Sequence, residues 1–350
     1  MPETARIARS LSALVGLGLE RVNDSPVATD TIRLDRKTHK VTSTTPAMGT
    51  LVSVSAIARS PDRAEEAIGR AFEEMHQLVG VFSRFDGSSA VTSLNAGGRL
   101  GGAPREFFNV VSQALRYHEL SRGAFDITVE PVVDLFREHL GADRPREPSP
   151  AEITDALALV GSEHIDISDG WISFKRSGMG ITLDGIAKGY IVDAIAHTLI
   201  RHQIGNYLIN AGGDIRTAGT REKGEPWTVA VQDPAKSGLF PDIIHLRDAA
   251  VATSGSYEIF FDRDKLFHHI VNSKSGRSPV VNASASVIAP SAMAADALAT
   301  SVFVLDPRQG VALIDSMPGC ECLIVDNHGL QLKSAGWHSA TPNTGEEADL

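Results

Sequence analysis

Short strands separated by glycine, aspartate and proline turns fill much of the second half of this chain, and they restrict its fold more than any other feature. Four segments show the pattern, at 206–219, 227–234, 243–255 and 268–276. They predict that strands dominate this half. No period of 20–50 residues repeats along the chain, which excludes solenoids and propellers.

The remaining segments mix helical and strand patterns. Apolar and polar residues alternate at 48–56, which predicts a strand, and helical spacing follows at 61–83 and 105–123. Further expected elements are a long loop with one helical turn at 84–102, a surface excursion at 144–150, a hairpin at 164–175, a strand running into a helix at 179–202, helices at 291–305 and 307–316, and a strand at 321–326. We therefore expect a poorly ordered leader at 1–45, one domain at 46–337 and a disordered tail at 338–350.

Composition excludes several classes of protein. The 350 residues are 42% hydrophobic, which is enough for a sizeable core, and the formal net charge is −10. An acidic chain without a basic cluster is a poor match for a nucleic-acid-binding protein, because duplex binding depends on Lys and Arg. The two cysteines, Cys320 and Cys322, are too few for a structural zinc site and too close together for a comfortable disulfide.

The N-terminus bears on the cellular compartment. Arg6 and Arg9 precede the apolar stretch 11–19, which has the outline of a short signal sequence. Glu20 and Arg21 interrupt it, and no lipobox cysteine follows. We expect a cytoplasmic protein, with export to the periplasm as the alternative.

Three glycine-containing loops, at 182–190, 210–219 and 252–257, could approach a ligand closely, because glycine lacks a side chain. The first lies between an apolar segment and a helix, so its N–H groups could face a phosphate. It matches neither phosphate-loop spacing nor the dinucleotide fingerprint. A simple chain turn is the alternative.

Asp296 and Thr300 stand four residues apart in an expected helix and therefore share a face. Their oxygens would suit Mg²⁺, although these two residues taken alone favour a local cap or pair for Asp296 and a bond from Thr300 back to the helix backbone. His268 and His269 precede a short apolar run, where a histidine is more often structural than catalytic. Asp126, beside an aromatic residue and a threonine, is uninformative alone.

Together these pieces resemble the ApbE family, the FAD:protein FMN transferases, from about Met48 to Val325. The matching segments are 48–50, 82–95, 123–136, 181–193, 209–219, 227–234, 251–258, 269–279 and 286–305. The resemblance implies an α+β fold in which a mixed β-sheet and flanking helices form two lobes, with the flavin in the cleft between them. It also implies Mg²⁺-dependent transfer of FMN from the substrate FAD to a Thr or Ser hydroxyl of an acceptor flavoprotein, with release of AMP.

The resemblance assigns roles to single positions. The residues implied to hold the flavin ring are Met48, Phe85, Ala124, Phe125, Asp126 and Ile270. Those implied to face the ribityl chain and pyrophosphate are Asp184, Lys188 and Tyr190. The metal would be held by the main-chain carbonyl of Ala187 and the side chains of Asp296 and Thr300. His269 would activate the acceptor hydroxyl.

Two departures from the family pattern and two alternative functions stay open. Asn272 and Ser273 stand where the family has an Asp-Pro pair, and Phe85 stands where a tyrosine is frequent. The chain could instead be an FAD pyrophosphatase that yields FMN and AMP, or a flavin-binding carrier for a redox complex. No acceptor segment occurs in the chain itself, so self-flavinylation is not expected, and membrane contact is expected only through a membrane-bound acceptor.

Overall fold

The computed structural model describes residues 20–22, 25–141, 146–232, 234, 240–256, 267–268 and 270–340. Its strands are β1 (Glu20–Val22), β2 (Ser25–Arg33), β3 (His39–Ala47), β4 (Thr50–Ala58), β5 (Arg99–Gly101), β6 (Ile165–Ser168), β7 (Trp171–Phe174), β8 (Tyr207–Ala211), β9 (Asp214–Ala218), β10 (Trp227–Ala230), β11 (Ile243–Leu246), β12 (Ala250–Gly255), β13 (Asn282–Ala289), β14 (Glu321–Asp326) and β15 (Gln331–Lys333). Its helices are α1 (Pro61–Phe82), α2 (Ala90–Gly97), α3 (Arg105–Leu120), α4 (Glu130–Leu140), α5 (Pro150–Leu157), α6 (Ala187–Arg201), α7 (Ala292–Val304) and α8 (Pro307–Asp315).

A ten-stranded sheet forms the centre of the described fold, in the order β1-β2-β3-β4-β8-β9-β12-β13-β14-β15. Tight turns join several neighbours, for example Met48-Gly49 between β3 and β4 and Gly212-Gly213 between β8 and β9, all with positive φ. Such short turns return the chain alongside itself, so the strands they join are antiparallel. The α+β class is confirmed, whereas the expectation of a mixed sheet is wrong, since the pairings between described strands are antiparallel.

The pairing of β4 with β8 joins the first strands to the rest of the sheet. Val52 lies opposite Ala211 and Ala56 opposite Tyr207, and all four side chains are buried. The hairpin β10-β11 and the three strands β5-β7-β6 form two smaller sheets. One face of the large sheet is covered by α1, α6 and α7, whose apolar residues form the main core.

Residues 25–45 were expected to belong to a poorly ordered leader. In the structure they form β2 and most of β3 instead. Alternate residues of β3, namely Val41, Ser43 and Thr45, are buried. Hydroxyl groups pair across the strands, with Thr42 Oγ1 and Ser55 Oγ 2.8 Å apart. Small hydroxyl side chains can hydrogen-bond to one another across a pair of strands. A segment of polar composition can therefore form strands, and the sequence did not predict these two.

Several other predictions can be compared with the described fold. The helices at 61–83, 105–123, 291–305 and 307–316 are confirmed, as is the hairpin at 164–175. The segment 84–102 contains a full helix, α2, and the short strand β5 rather than a single helical turn. Within the described part of the chain, no helix is long and apolar enough to cross a bilayer.

The segment before α6 was expected to be a strand and is an irregular loop instead. The side-chain amide of Asn95 pairs with the backbone of Ile181, accepting from its N–H at 2.8 Å and donating to its carbonyl at 2.9 Å. The N–H of Thr182 donates to the Ile127 carbonyl. A side chain therefore takes the place of a neighbouring strand, and the apolar run is buried without joining a sheet.

Candidate active site

Two adjoining pockets lie where turns of the large sheet meet the first turns of α6 and the middle of α7. We call the first the carboxylate pocket; it is lined by Ala124, Phe125, Asp126, Ile127, Val129, Thr182, Asp184, Gly185, Lys188, Asp214, Thr253, Ser254, Gly255, Ile270, Val271, Asp296 and Thr300. We call the second the aromatic cleft; it is lined by Met48, Gly49, Thr50, Val79, Phe82, Ser83, Arg84, Phe85, Leu183, Asp184, Ala187, Lys188, Ile191 and Gly212. Asp184 and Lys188 line both, so the pockets share a wall.

The aromatic cleft has the size of a small-molecule site. Its volume is about 710 Å³, within the range of roughly 300–1,000 Å³ that such sites occupy. Phe85 stands at its edge with 83% of its surface exposed. An aromatic ring so exposed leaves a large apolar area open to a planar ligand.

Close contact between α6 and α7 fixes the carboxylate pocket. Gly189, in the first turn of α6, donates its N–H to the Asp296 carboxylate at 3.0 Å. A Cβ at Gly189 would lie 2.3 Å from the Ala292 carbonyl oxygen, so only glycine allows this approach. The Asp193 carboxylate accepts from the N–H groups of Ala292 and Met293 and caps α7 from the neighbouring helix.

Asp296 is a buried carboxylate among other carboxylates. Burial raises its pKa well above the ordinary value, and the charges of Asp214 and Asp184 raise it further, against the opposing effect of Lys188. The Lys188 ammonium lies 3.5 Å from the Asp214 carboxylate. The pocket thus concentrates negative charge that a cation would offset.

The hydroxyl of Thr300 faces the same pocket. Thr300 Oγ1 lies 3.2 Å from Ser254 Oγ. A Cβ at Gly185 would lie 2.9 Å from Thr300 Oγ1, so the absence of a side chain at that glycine allows the hydroxyl to pack closely against it. Asp296 and Thr300 therefore point away from their own helix, and the alternative of a purely local role does not describe Asp296.

These oxygen donors suit a hard divalent cation such as Mg²⁺. Asp296 supplies a buried carboxylate and Thr300 a hydroxyl, and both line the carboxylate pocket beside Gly185. In the described residues no three His, Cys, Asp or Glu side chains form a metal cluster. Ala187, the third predicted ligand, lines the aromatic cleft.

The Asp126 carboxylate is held from inside the protein. It accepts from the Thr128 N–H at 2.9 Å and from the Ser162 hydroxyl at 2.8 Å, and His118 Nδ1 lies 3.2 Å away. Burial alone would raise the pKa of Asp126, but these hydrogen bonds lower it overall. The bond to Asp126 raises the pKa of His118 against the opposite effect of burial. Asp126 therefore fixes the turn that presents Ala124 and Phe125 to the pocket.

The structure divides the residues predicted to hold the flavin between the two pockets. Met48 and Phe85 line the aromatic cleft. The carboxylate pocket is lined by the other four, Ala124, Phe125, Asp126 and Ile270. The two pockets adjoin along the wall formed by Asp184 and Lys188. The prediction that they hold one flavin ring stays a prediction.

Tyr190 lines neither pocket. Its ring meets Phe82 edge to face at 5.6 Å, and burial raises the pKa of its hydroxyl. The phenol turns toward the inside of the helical layer because position 190, one turn into α6, lies on the side facing α1. The structure thus does not bring Tyr190 to the residues with which the sequence grouped it.

Side-chain hydrogen bonds hold the loop that follows position 269, in which Asn272 and Ser273 depart from the family pattern. The predicted catalytic residue, His269, lies outside the described residues. Asn272 Oδ1 accepts from the N–H groups of Lys274 and Ser275, which closes the turn as an aspartate would. The Ser273 hydroxyl donates to the Gly123 carbonyl at 2.8 Å. This loop is therefore tied to the segment that carries Ala124 and Phe125.

His268 has a structural environment. It is buried, its Nε2 lies 3.1 Å from the Pro279 carbonyl oxygen, and its ring meets Phe303 edge to face. Its N–H donates to the Ser278 hydroxyl. The structural interpretation of this histidine is confirmed.

Sequence reasoning missed Arg84, Asp214 and Ser254, which also line these pockets. Asp214 and Ser254 lie in two of the glycine-containing loops. A polar side chain next to a glycine turn was the signal that could have identified them. Arg84 gave no signal, because its partners Glu130 and Asp184 are far away in the sequence.

Comparison with known proteins gives matches over most of the chain. The model of the ApbE family matches residues 48–324. An FAD:protein FMN transferase of Treponema pallidum is 31% identical over 303 residues, covering 79% of this chain and 82% of the relative. One of Vibrio cholerae is 31% identical over 280 residues, covering 77% and 83%.

Solved structures give the same result. The flavinyl transferase ApbE of Pseudomonas stutzeri, in its apo form, superposes with a TM-score of 0.76 at 27% identity, covering 87% of this chain and 97% of that one. The ApbE protein of Thermotoga maritima also gives 0.76, at 30% identity, with 88% and 97% covered. With a shared fold over nearly the whole of those proteins and a family match over most of its own length, this chain belongs to the ApbE family.

Proposed function

We propose that this chain transfers FMN from FAD to a Thr or Ser hydroxyl of an acceptor flavoprotein and releases AMP. The observation that carries the proposal is the joining of a cation-suited pocket to a cleft with exposed aromatic surface, through a wall formed by Asp184 and Lys188. FAD has the matching parts, a flavin ring and a pyrophosphate. The relatives named above are transferases of this kind.

The flavin is proposed to lie between residues from the two halves of the chain. Met48, Phe85 and Phe125 come from the first half, and Ile270 comes from the second. This supports a site in a cleft between two lobes. The aromatic rings and the Met48 side chain would cover the faces of the isoalloxazine and exclude water from them.

Asp296, Thr300 and the Ala187 carbonyl would hold Mg²⁺, which when bound would neutralise charge on the FAD pyrophosphate. Gly189 keeps the Asp296 carboxylate oriented through its N–H bond. Lys188, which lines both pockets beside Asp214, adds a positive charge at the start of α6. The N-terminus of that helix also favours an anion.

The proposed reaction is a displacement at phosphorus. The acceptor oxygen forms a bond to the phosphorus on the FMN side, and the bond from that phosphorus to the bridging oxygen breaks. AMP leaves with the bridging oxygen. The proton of the acceptor hydroxyl passes to a general base, for which His269 is the predicted residue.

Incubation of the purified protein with FAD and Mg²⁺ tests the proposal. AMP is followed by chromatography, with and without EDTA, in the presence of a peptide that carries an acceptor Thr or Ser. We expect AMP release together with a gain in peptide mass equal to one FMN unit, both abolished by EDTA. Thr300→Val and Asp296→Asn should abolish both products.

The same experiment distinguishes the other two functions. AMP and free FMN without modified peptide would identify an FAD pyrophosphatase. Bound FAD without AMP would identify a carrier. We also propose a cytoplasmic location, with membrane contact only through the acceptor.

A further inference from the structure

Arg84, in the loop after α1, joins two carboxylates that come from different elements. Its Nη1 lies 3.1 Å from Glu130 Oε2, and its Nη2 lies 3.2 Å from Asp184 Oδ2. Only 12% of the arginine side chain is exposed. The guanidinium is therefore held in a defined position, because each of its two terminal nitrogens pairs with a different carboxylate.

The two carboxylates differ in what they face. The side chain of Glu130, at the start of α4, is 9% exposed and belongs to the interior. That of Asp184 is 43% exposed and lines both the carboxylate pocket and the aromatic cleft. Glu130 thus anchors the arginine, while Asp184 is the partner on the ligand side.

The position of Asp184 creates an electrostatic problem for an anionic substrate. Asp214 and Asp296 already place carboxylates in the adjoining pocket. A further carboxylate at the shared wall would repel a pyrophosphate, because like charges a few ångströms apart repel one another. The charge of Asp184 has to be offset for FAD to bind there.

We propose that Arg84 is a positioning residue for FAD, which offsets and orients the Asp184 carboxylate so that the pyrophosphate of the substrate can lie beside it. The inference rests on the proposed function, since it takes FAD as the ligand. Arginine is required because its planar fork reaches two carboxylates at once. A lysine would keep the charge but would not bridge Glu130 and Asp184.

The role of Arg84 predicts a difference between flavins with and without phosphate. Arg84→Met should weaken FAD binding at least tenfold, measured by quenching of flavin fluorescence, and should raise the KM for FAD more than it lowers kcat. Binding of riboflavin, which has no phosphate, should change less than twofold. Arg84→Lys should lie between the wild type and Arg84→Met.

Removal of the uncompensated carboxylate should rescue the defect. In the double variant Arg84→Met with Asp184→Asn, FAD affinity should return to within about threefold of that of Asp184→Asn alone. The asparagine keeps a hydrogen-bonding side chain while it removes the charge. A merely structural role for Arg84 would not give this recovery.

Arg99→Met is the matched control, because Arg99 stacks on Trp171 at 4.1 Å and lines neither pocket. It should bind FAD like the wild type. Unchanged FAD affinity in Arg84→Met, equal losses for FAD and riboflavin, or failure of the double variant to recover would each overturn the role of Arg84 and leave the transferase proposal standing. A wild-type protein that neither binds nor cleaves FAD would overturn both.

Discussion

The main-chain N–H of Gly189 donates to the carboxylate of Asp296 at 3.0 Å, and this bond joins the first turn of α6 to the middle of α7. The same glycine allows the Ala292 carbonyl of α7 to approach without a clash. One small residue thus sets both the separation of two helices and the orientation of a buried acid. The arrangement makes the site sensitive to a single methyl group.

Gly189→Ala should therefore impair both stability and activity. The added Cβ would lie 2.3 Å from the Ala292 carbonyl oxygen, so the helices must separate. We expect a loss of about 2–4 kcal/mol in the free energy of unfolding and at least a tenfold loss of AMP release. Gly80→Ala, in α1, is the control, because its Cβ would meet nothing within 4 Å. The control should be neutral or slightly stabilising, and equal behaviour of the two variants would contradict the interpretation.

Asp296→Asn should separate stability from activity. The carboxylate is buried beside Asp214 and Asp184, and these surroundings raise its pKa, so its charge is unfavourable in the folded protein. The amide keeps an oxygen for the Gly189 N–H and removes the repulsion. We expect an unchanged or higher melting temperature with a loss of AMP release of at least a hundredfold. A variant that melts lower and retains activity would show that Asp296 has a structural role instead.

Glu130→Gln should change how stability depends on pH. Burial raises the pKa of Glu130 to about 7, although Arg84 opposes the shift. Between its ordinary value of 4.5 and 7 the unfolded chain releases this proton while the folded protein keeps it, so this group makes the protein less stable as pH rises. The difference in free energy of unfolding between wild type and variant should change by up to about 3 kcal/mol from pH 4.5 to 8. Denaturant titrations across this range test it, and parallel curves would rule it out.

Ser273→Ala should loosen the loop after position 269. The variant loses the hydrogen bond to the Gly123 carbonyl, which is worth about 1 kcal/mol. Because Gly123 precedes Ala124 and Phe125, we expect a several-fold rise in the KM for FAD with a smaller change in melting temperature. Ser275→Ala, in the same loop but exposed and bonded only within it, is the control. A similar KM in the two variants would argue against the link.

The sequence predicted the long helices from local patterns, whereas the predicted residues of the carboxylate pocket were assigned mainly by resemblance to the family. Apolar spacing identified α1, and glycine turns marked the loops that hold Asp184 and Asp214. Prediction from the sequence failed where the hydrogen bonds of a segment come from residues far away in the chain. The Asn95 amide replaces a strand beside Ile181, and hydroxyl pairs such as Thr42 with Ser55 stabilise strands that looked like a polar leader.

The direction of Tyr190 was missed for a related reason. Family resemblance assigns a position to a site, but the side chain points where the packing of its helix sends it, here toward Phe82. The ion pairs of Arg84 were invisible because they join residues 46 and 100 positions apart. Contacts of this kind follow from the topology of the sheet rather than from any local pattern.

The pairing of β4 with β8 has a consequence for the order in which the protein becomes functional. The strands are separated by a long stretch of chain that includes α1 to α6, so the contact closes a large loop and carries a high entropic cost. Residues that line the two pockets lie before this stretch of chain, within it and after it, the last of them being Thr300 in α7. A growing chain can thus acquire a binding surface for FAD only after most of it has been synthesised, so the substrate stabilises the finished fold and cannot guide its early steps.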